Sequence, residues 1–281
     1  MNIINKYKLL TKVYQIYRIV FPKMKYKPTE EEAFLSDLEL FGVVISKSEN
    51  NYFFRDNKFF IDMLIRDFTH SDFDVYRHVF IQEEYKIILE FLTLNPLFAG
   101  LDKKCHLIDA GSNVGYTSIY FSKFIPDIEI CAIEPSTSNF EQLQKNFVLN
   151  KVIGSQYNKG LVGQRSQKLT LNKDFRDGKD HAFSTEIDFE GNIEGITIGE
   201  ILEINGWEYI TLLKIDIEGA ERYVLDEQHD LDYLSKTLII AVEIHDEYPI
   251  REQIYKTLRD FGFVIFNQGE LTIGINKNFL N

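Results

Sequence analysis

From residue 106 onward, short apolar runs alternate with stretches in which apolar residues recur at three- and four-residue steps. The runs lie at 106–108, 129–133, 210–215 and 238–244. This alternation is typical of parallel strands that are covered by helices on both faces. We therefore predict an α/β fold with a Rossmann-like, doubly wound and mostly parallel sheet.

Three further segments complete this prediction. Residues 156–162 are expected to supply another strand, and the polar, non-periodic stretch 169–198 is expected to form an inserted hairpin or lid. Two apolar runs, 263–266 and 271–275, are separated by the turn-forming residues 267–270. They predict an antiparallel hairpin at the C-terminal edge of the sheet.

The pattern over 30–100 differs and indicates a small α+β accessory region. The expected elements are a helix beginning after Thr29, short strands at 43–45, 52–55 and 59–63 with a tight turn at Asp56-Asn57, and a helix over 75–94. We accordingly divide the chain into 1–29, 30–100 and a main domain over 101–281.

All charged side chains of residues 1–29 are basic, and an apolar stripe runs through the segment at helical spacing. This pattern predicts a basic amphipathic helix. Three interpretations stay open. The helix docks on its own domain or on a second subunit of a homo-oligomer, it lies on anionic lipid at the inner membrane surface, or the segment is a disordered arm.

Composition narrows the class of protein. The 281 residues are 44% hydrophobic and 26% charged, which is typical of a globular chain, and no apolar run is long enough to span a bilayer. A net charge of −12 argues against nucleic acid as a partner. Cys105 and Cys131 lie in apolar stretches without metal-binding spacing, so we expect reduced cysteines in a cytoplasmic protein.

The strongest chemical signal is the loop from Asp109 to Gly115, with Gly111, Ser112 and Asn113 between them. Glycines in such a loop allow a ligand to approach the backbone. The spacing departs from the G-x-G-x-x-G of dinucleotide sites. An acid at the mouth of the loop would repel a pyrophosphate but favour an ammonium and a sulfonium. These residues therefore predict a site for S-adenosylmethionine.

The next strand ends in Glu134, at a spacing suited to one βαβ unit. A carboxylate at that position can accept hydrogen bonds from both ribose hydroxyls of the cofactor. The alternative is structural: Asp109 would only cap the following helix, and Glu134 would be a solvated strand end.

Two more strand ends carry candidate catalytic residues. Asp216 and Glu218 follow the run 210–215 and are expected to face the crevice, with Asp216 also near the cofactor. Alternatively, Glu218 and Glu221 only complement the dipole of the next helix. His245 is either a base near neutral pH or a polar rim residue. No metal is predicted, because the spacing of the acids gives only a weak hint of one.

The segments 108–118, 132–135 and 212–221 together resemble the FkbM family of methyltransferases, whose hallmark is matched at 214–221. The resemblance covers about residues 75–275. It implies O-methylation, commonly of a sugar or polyketide-type hydroxyl. It also implies that Asp109, Gly111, Asn113, Gly115 and Glu134 hold the cofactor. The chain departs from the family at 198–200, where Leu-Asp-Asp is common, and residues 1–50 match nothing.

We therefore expect an S-adenosylmethionine-dependent O-methyltransferase with the class I fold, acting on a hydroxyl of a sugar, glycan or related metabolite. Asp216 or His245 would remove the hydroxyl proton. A non-catalytic cofactor-binding subunit is one alternative, and a nicotinamide-dependent oxidoreductase is the other. The acceptor would be recognised by the accessory region and by 169–198.

Overall fold

A computed structural model describes residues 12–13, 27–48, 51–94, 104–172 and 184–280. The expected N-terminal helix over 1–29 lies almost entirely outside the described residues. The chain forms two compact units, Met1–Asp74 and Val75–Asn281. This division falls earlier than the boundary expected at residue 100, because Phe80 packs against Tyr116 and Tyr120 with ring centroids 6.2 and 5.9 Å apart.

The first unit contains a helix and a three-stranded antiparallel sheet. Its elements are α1 (Glu30–Phe41), β1 (Gly42–Ser48), β2 (Asn51–Asp56) and β3 (Asp62–Arg66), with the strands in the order β1-β2-β3. Thr29 and Glu32 form a capping box that satisfies the first amides of α1. The region thus has the expected types of element, although β3 begins three residues later than the strand predicted at 59–63.

The single helix expected over 75–94 was wrong. The chain instead forms α2 (Asp72–Tyr76), a π-helical turn over Arg77–Ile81 and α3 (Lys86–Leu94). Glu83 adopts a left-handed backbone conformation between them. The apolar spacing predicted a continuous helix, but the break lets Tyr85 pack edge-on against Phe121, which belongs to the same unit. Packing within this unit therefore overrides the local pattern.

The large sheet has seven strands. In chain order they are β4 (His106–Ala110), β5 (Glu129–Ile133), β6 (Gly154–Tyr157), β11 (Ile210–Ile215), β12 (Thr237–Glu243), β13 (Phe263–Gln268) and β14 (Leu271–Asn276). Their spatial order is β13-β14-β12-β11-β4-β5-β6, and all neighbours are parallel except β14, which is antiparallel to both β12 and β13. The chain adds β5 and β6 on one side of β4 and then returns to add β11 on the other side, so the strand order reverses between β4 and β11. This order confirms the doubly wound class and the C-terminal hairpin.

Helices connect these strands. They are α4 (Tyr116–Phe124), α5 (Thr137–Asn150), α6 (Ile198–Asn205), α7 (Glu221–Val224), α8 (Asp232–Ser235) and α9 (Arg251–Asp260). Strand β11 is buried along its whole length, and β4 is as well. Burial on both faces explains why these strands read as continuous apolar runs.

The stretch 156–162 contributes to two sheets, not to one strand. Residues up to Tyr157 belong to β6, whereas β7 (Gly160–Leu161) joins a separate sheet with β8 (Lys168–Asn172), β9 (Ser184–Ile187) and β10 (Ile193–Ile196). The order of this smaller sheet is β7-β10-β8-β9, and β8 and β9 form the expected antiparallel pair. The insertion is therefore a small sheet that includes a hairpin.

Within the described part of the chain, no helix is both long and apolar enough to cross a membrane.

Candidate active site

The carboxyl ends of four neighbouring strands meet at one edge of the large sheet. Asp109 of β4 lies in register with Lys214 of β11 and with Ala132 of β5. Beyond these strand ends the structure has a cavity of about 310 Å³. Described residues in its lining include Glu84, Tyr85, Gly111, Ser112, Asn113, Glu134, Asn139, Leu161, Thr185, Lys214, Asp216, Glu218, Glu243 and Glu270.

A second cavity, of about 820 Å³, lies elsewhere on the same unit. Trp207, Glu208 and Lys236 contribute to it, and these residues precede β11 and β12. It therefore reaches the amino ends of the strands. Ligands of open α/β sheets bind outside the carboxyl ends, at the point where the strand order reverses. The smaller cavity occupies that place, so we assign the active site to it.

The loop after β4 depends on two glycines. Gly111 and Gly115 both have positive φ values, of 76° and 86°. A side chain on Gly111 would collide with the backbone carbonyl of Asp216, and one on Gly115 would meet the ring of Phe147 at 2.9 Å. Only glycine combines this backbone conformation with such close neighbours. The glycines thus hold the loop against β11 and α5.

Ser112 and Asn113 connect this loop to β5. The Ser112 hydroxyl donates to the carbonyl of Asp109 at 2.5 Å and accepts the Ile133 amide at 2.9 Å. Asn113 has a positive φ of 49°, and its amide donates to a Glu134 carboxylate oxygen at 2.9 Å. The side-chain Oδ1 of Asn113 is buried and has no hydrogen-bond partner. It is an acceptor in the lining that a ligand can satisfy.

Glu134 lies at the end of β5 as expected. Its two carboxylate oxygens accept the backbone amides of Asn113 and Ser136, each at 2.9 Å. Burial raises the pKa of Glu134 to about 7, although these two amides and the charge of Lys214 act in the opposite direction. Each carboxylate oxygen has a further lone pair, so Glu134 can still accept hydrogen bonds from a ligand in the cavity.

Asp109 does not lie at the mouth of the loop. Its side chain is fully buried, accepts the Ser118 hydroxyl at 2.6 Å and pairs with Lys214 at 3.3 Å. The expected placement at the mouth of the loop was therefore wrong. Any effect of Asp109 on a ligand is transmitted through its neighbours. The physical reason is Lys214, a cation inside an apolar strand that needs a buried counter-ion.

Lys214 is a site residue that the sequence reasoning missed. Its ammonium donates to the Gly111 carbonyl at 2.6 Å and pairs with Asp109 and with Asp216, the latter at 3.4 Å. Burial alone would lower the pKa of Lys214, but the charges of Asp109 and Asp216 raise it above its usual value. A lysine within an apolar run, two residues before an acid, was the available signal.

His245 is completely buried and lies among carboxylates. Its Nδ1 is 2.9 Å from Glu221, and its Nε2 is 3.1 Å from Glu218 and 3.5 Å from Glu243. Burial alone would lower the pKa of His245, but the adjacent carboxylates of Glu218 and Glu221 raise it to about 11. Neither interpretation of His245 describes this arrangement, since the pKa lies above the neutral range and the side chain is buried and does not lie at the rim.

Glu221 also does more than complement a helix dipole. Its buried carboxylate accepts the amides of Gly219 and His245 and the Nδ1 proton of His245, all at 2.9 Å. Glu218 adopts a positive φ of 51°, which is uncommon outside glycine. This left-handed turn belongs to the loop that brings the Glu218 carboxylate to His245.

The cavity contains more acids than bases. Repulsion from Asp216, followed by burial, raises the pKa of Glu243 to about 8. Burial, followed by repulsion from Asp216, raises the pKa of Glu84 to about 7. Such perturbed carboxylates are typical of functional sites, and here they suit a positively charged ligand.

The structure brings most of the expected site residues together. Gly111, Ser112, Asn113, Glu134, Asp216 and Glu218 all line the cavity, whereas Asp109, Gly115 and His245 lie behind it and support residues that do. Four further residues belong to the site, namely Glu84, Lys214, Glu221 and Glu243.

The strand order is that of a Rossmann-like, doubly wound sheet, and the acidic cavity lies at its switch point. The family model described as the methyltransferase FkbM domain matches residues 109–265. The chain belongs to this family and is a methyltransferase, which sets the oxidoreductase alternative aside.

Two curated relatives carry the same activity in their names. The chain is 26% identical over 228 residues to Methyltransferase sdnD of Sordaria araneosa, covering 68% of this chain and 82% of the relative. It is 24% identical over 185 residues to Methyltransferase 1 of Beauveria bassiana strain ARSEF 2860, covering 57% and 74%.

Solved methyltransferase structures also align with the chain. A precorrin-6y C5,15-methyltransferase from Geobacter metallireducens GS-15 aligns over 69% of this chain and 85% of its own, with 11% identity and a TM-score of 0.39. A putative O-methyltransferase from Klebsiella pneumoniae aligns over 68% and 80%, with 14% identity and a TM-score of 0.38.

Proposed function

We propose that this methyltransferase transfers a methyl group from S-adenosylmethionine to a hydroxyl of a sugar, glycan or related metabolite. The observation that carries the proposal is the ring of carboxylates at the cavity, with Glu134 on β5 and Asp216 on the neighbour of β4. S-adenosylmethionine supplies an electrophilic methyl group on a cationic sulfur.

The residues present fit this donor. Glu134 keeps lone pairs for the two ribose hydroxyls. The buried Oδ1 of Asn113, which has no hydrogen-bond partner, is proposed to accept from the donor's ammonium group. The negative charge of Asp216 and its neighbours favours a sulfonium in the same cavity. A pyrophosphate would be repelled by these same groups.

The proposed acceptor is neutral and rich in hydroxyls. Glu84, Glu243 and Glu270 line the cavity together with Leu161 and Thr185 of the smaller sheet. Carboxylates accept hydrogen bonds from hydroxyls but repel anionic groups. The small sheet is therefore proposed to contribute to acceptor selection. From the sequence, acceptor recognition was expected of 169–198, which supplies three strands of this sheet, and of the accessory region.

Methyl transfer is an in-line displacement, so the site has to hold the acceptor oxygen in line with the methyl carbon and sulfur. The hydroxyl also has to lose its proton. Asp216 lines the cavity with a side chain that is 32% exposed, whereas His245 is inaccessible. We therefore assign the contact with the acceptor hydroxyl to Asp216, and the proton passes to the carboxylates around it.

The test is release of S-adenosylhomocysteine in the presence of a panel of neutral glycans and polyols. Turnover by Asp216→Asn should fall about 100-fold or more, a larger factor than the loss of donor affinity that removal of this charge causes. Asp246→Asn is the matched control, because Asp246 is an exposed acid paired with Arg251 at 2.7 Å outside the cavity lining. Full activity of Asp216→Asn would contradict the assignment. Donor binding without turnover on any acceptor would favour the non-catalytic alternative.

A further inference from the structure

The imidazole of His245 has one nitrogen satisfied and one nitrogen that makes no hydrogen bond. Nδ1 and the backbone amide both donate to Glu221 at 2.9 Å, which fixes the ring. Nε2 is buried without a hydrogen-bond partner and points to the carboxylate group of Glu218, 3.1 Å away. A buried ring nitrogen that faces a carboxylate is satisfied by a shared proton or by a shared metal ion.

Asp216, Glu218 and His245 each offer one donor atom, and these three atoms all lie within 4.8 Å of one another. Ligands on opposite sides of one cation are separated by about twice the metal–ligand distance, or roughly 4 to 5 Å. Adjacent ligands of an octahedral cation lie about 3 Å apart. The separation of 3.1 Å between Glu218 and His245 fits the second case.

We propose that Asp216, Glu218 and His245 form a binding site for one divalent metal ion. A donor set of one imidazole nitrogen and two carboxylates suits a first-row cation such as Mn²⁺ better than Ca²⁺ or Mg²⁺, which prefer oxygen ligands alone. No metal was expected from the sequence, because the spacing of Asp216 and Glu218 gives only a weak hint of one.

Glu221 is the positioning residue of this site. A histidine that ligates a metal commonly donates its other ring proton to a carboxylate, which selects the tautomer and orients the ring. The buried Glu221 carboxylate holds His245 in this manner. It is itself fixed by the Gly219 amide at 2.9 Å. The metal occupies the position that a proton on Nε2 would otherwise take.

The role of the metal in catalysis rests on the proposed function, whereas binding of the metal does not. Coordination of an acceptor hydroxyl to the cation would lower the pKa of that hydroxyl and orient its oxygen toward the donor. An acceptor with two neighbouring oxygens, such as a sugar diol, could bind such a cation through both of them.

The experiment is a titration of the chelator-treated full chain with Mn²⁺. Binding is measured as the loss of the free-ion signal in electron paramagnetic resonance. We expect one saturable site per chain. Affinity should fall at least about tenfold in Glu218→Gln and His245→Gln, and about tenfold in Glu221→Gln through loss of orientation. Glu270→Gln should bind within twofold of wild type, since it removes an equal charge from the cavity lining without removing a ligand.

A direct readout on the wild type makes the test independent of variants that fail to fold. Pulsed measurements on the bound Mn²⁺ should detect hyperfine coupling to one imidazole nitrogen. Absence of saturable binding would overturn the proposal. So would bound Mn²⁺ without nitrogen coupling, or an equal loss of affinity in Glu270→Gln.

Failure here is distinguishable from failure of the proposed function. The titration contains neither donor nor acceptor, so it reports on the metal site alone. S-adenosylmethionine binding is measured separately on the same chelator-treated sample. A protein that binds the donor but no Mn²⁺ contradicts only the metal site, and one that binds both but methylates no hydroxyl contradicts only the proposed function.

Discussion

Glu134 has to satisfy two opposing requirements. Its carboxylate is buried, which favours the neutral acid and raises its pKa to about 7, yet the charged form accepts hydrogen bonds from a ribose more strongly. Two backbone amides at 2.9 Å partly compensate the charged form. The residue is therefore held ready for a ligand at some cost to the stability of the unliganded protein.

Replacement of this carboxylate should weaken donor binding without unfolding the chain. Hydrogen bonds to a charged group contribute about 1.5 to 3 kcal/mol, so Glu134→Gln should raise the dissociation constant for S-adenosylmethionine roughly 10- to 100-fold. Calorimetric titration measures this change. Glu129→Gln is the control, because Glu129 lies at the other end of the same strand and pairs with Lys104 at 2.6 Å. Equal affinities of the two variants would contradict the assignment.

The pKa of Glu134 also predicts how stability depends on pH. An acid whose pKa is raised from 4.5 to about 7 on folding stabilises the fold below the unfolded value and loses that contribution as pH rises through 7. Without donor, the wild type should therefore lose up to about 3 kcal/mol relative to Glu134→Gln between pH 5 and pH 8.

Urea denaturation of both proteins across this pH range measures the difference. Donor affinity of the wild type should change in the opposite direction and increase with pH, because the ionised carboxylate is the stronger acceptor for the ribose hydroxyls. A stability difference that stays constant with pH would show that burial does not raise this pKa.

At the scale of elements, the loop between β4 and α4 depends on its glycines. Gly115→Ala places a side chain at a positive φ and against the Phe147 ring, whereas Gly206→Ala meets the same backbone penalty with open space around it. The backbone penalty alone is about 1 kcal/mol. Gly115→Ala should therefore destabilise the protein by more than Gly206→Ala, and denaturant titration compares them. Equal losses would mean that packing against α5 contributes nothing.

Some elements could be predicted from the sequence almost to the residue, and others could not. The bounds of β5, β11 and α4 follow directly from short apolar runs and from the glycine loop. The smaller sheet could not be predicted, because its strands are short and partly polar, and β7 pairs with β10 across more than thirty residues. Such pairing is decided by tertiary contacts, which local pattern does not encode.

The candidate site divides in the same way. Residues that end strands, such as Glu134 and Asp216, could be found because the doubly wound order places every strand end at one edge. Glu221 and Lys214 could not be assigned, since their roles depend on which side chain a buried charge meets. His245 was recognised as a candidate, but its pKa is set by Glu218 and Glu221, and the sequence does not reveal that proximity.

At the scale of the whole molecule, the site belongs to one compact unit. Every described residue in the cavity lining lies within 75–270, inside the unit Val75–Asn281. A chain that begins at Asp72 should therefore bind S-adenosylmethionine with an affinity within about threefold of the full-length protein. Calorimetry on both proteins tests this, after circular dichroism has shown that the shorter chain is folded. A folded but non-binding product would show that residues 1–71 contribute to the donor site.

The charge of the whole chain bears on its partners. A net charge of −12 argues against phosphate backbones as ligands, and the absence of nucleic-acid binding stays a prediction. The acids at the cavity are held close together by the sheet, so they favour a positively charged ligand at this one place. The proposed function therefore requires that a cationic nucleoside binds where these strands end.

Calorimetric titration of the full-length protein with S-adenosylmethionine, and separately with NAD, tests that dependence most directly. We predict one saturable site per chain for S-adenosylmethionine, with a dissociation constant below about 1 mM. We predict no measurable heat of binding for NAD. The absence of S-adenosylmethionine binding at millimolar concentration, or tighter binding of NAD, would contradict it.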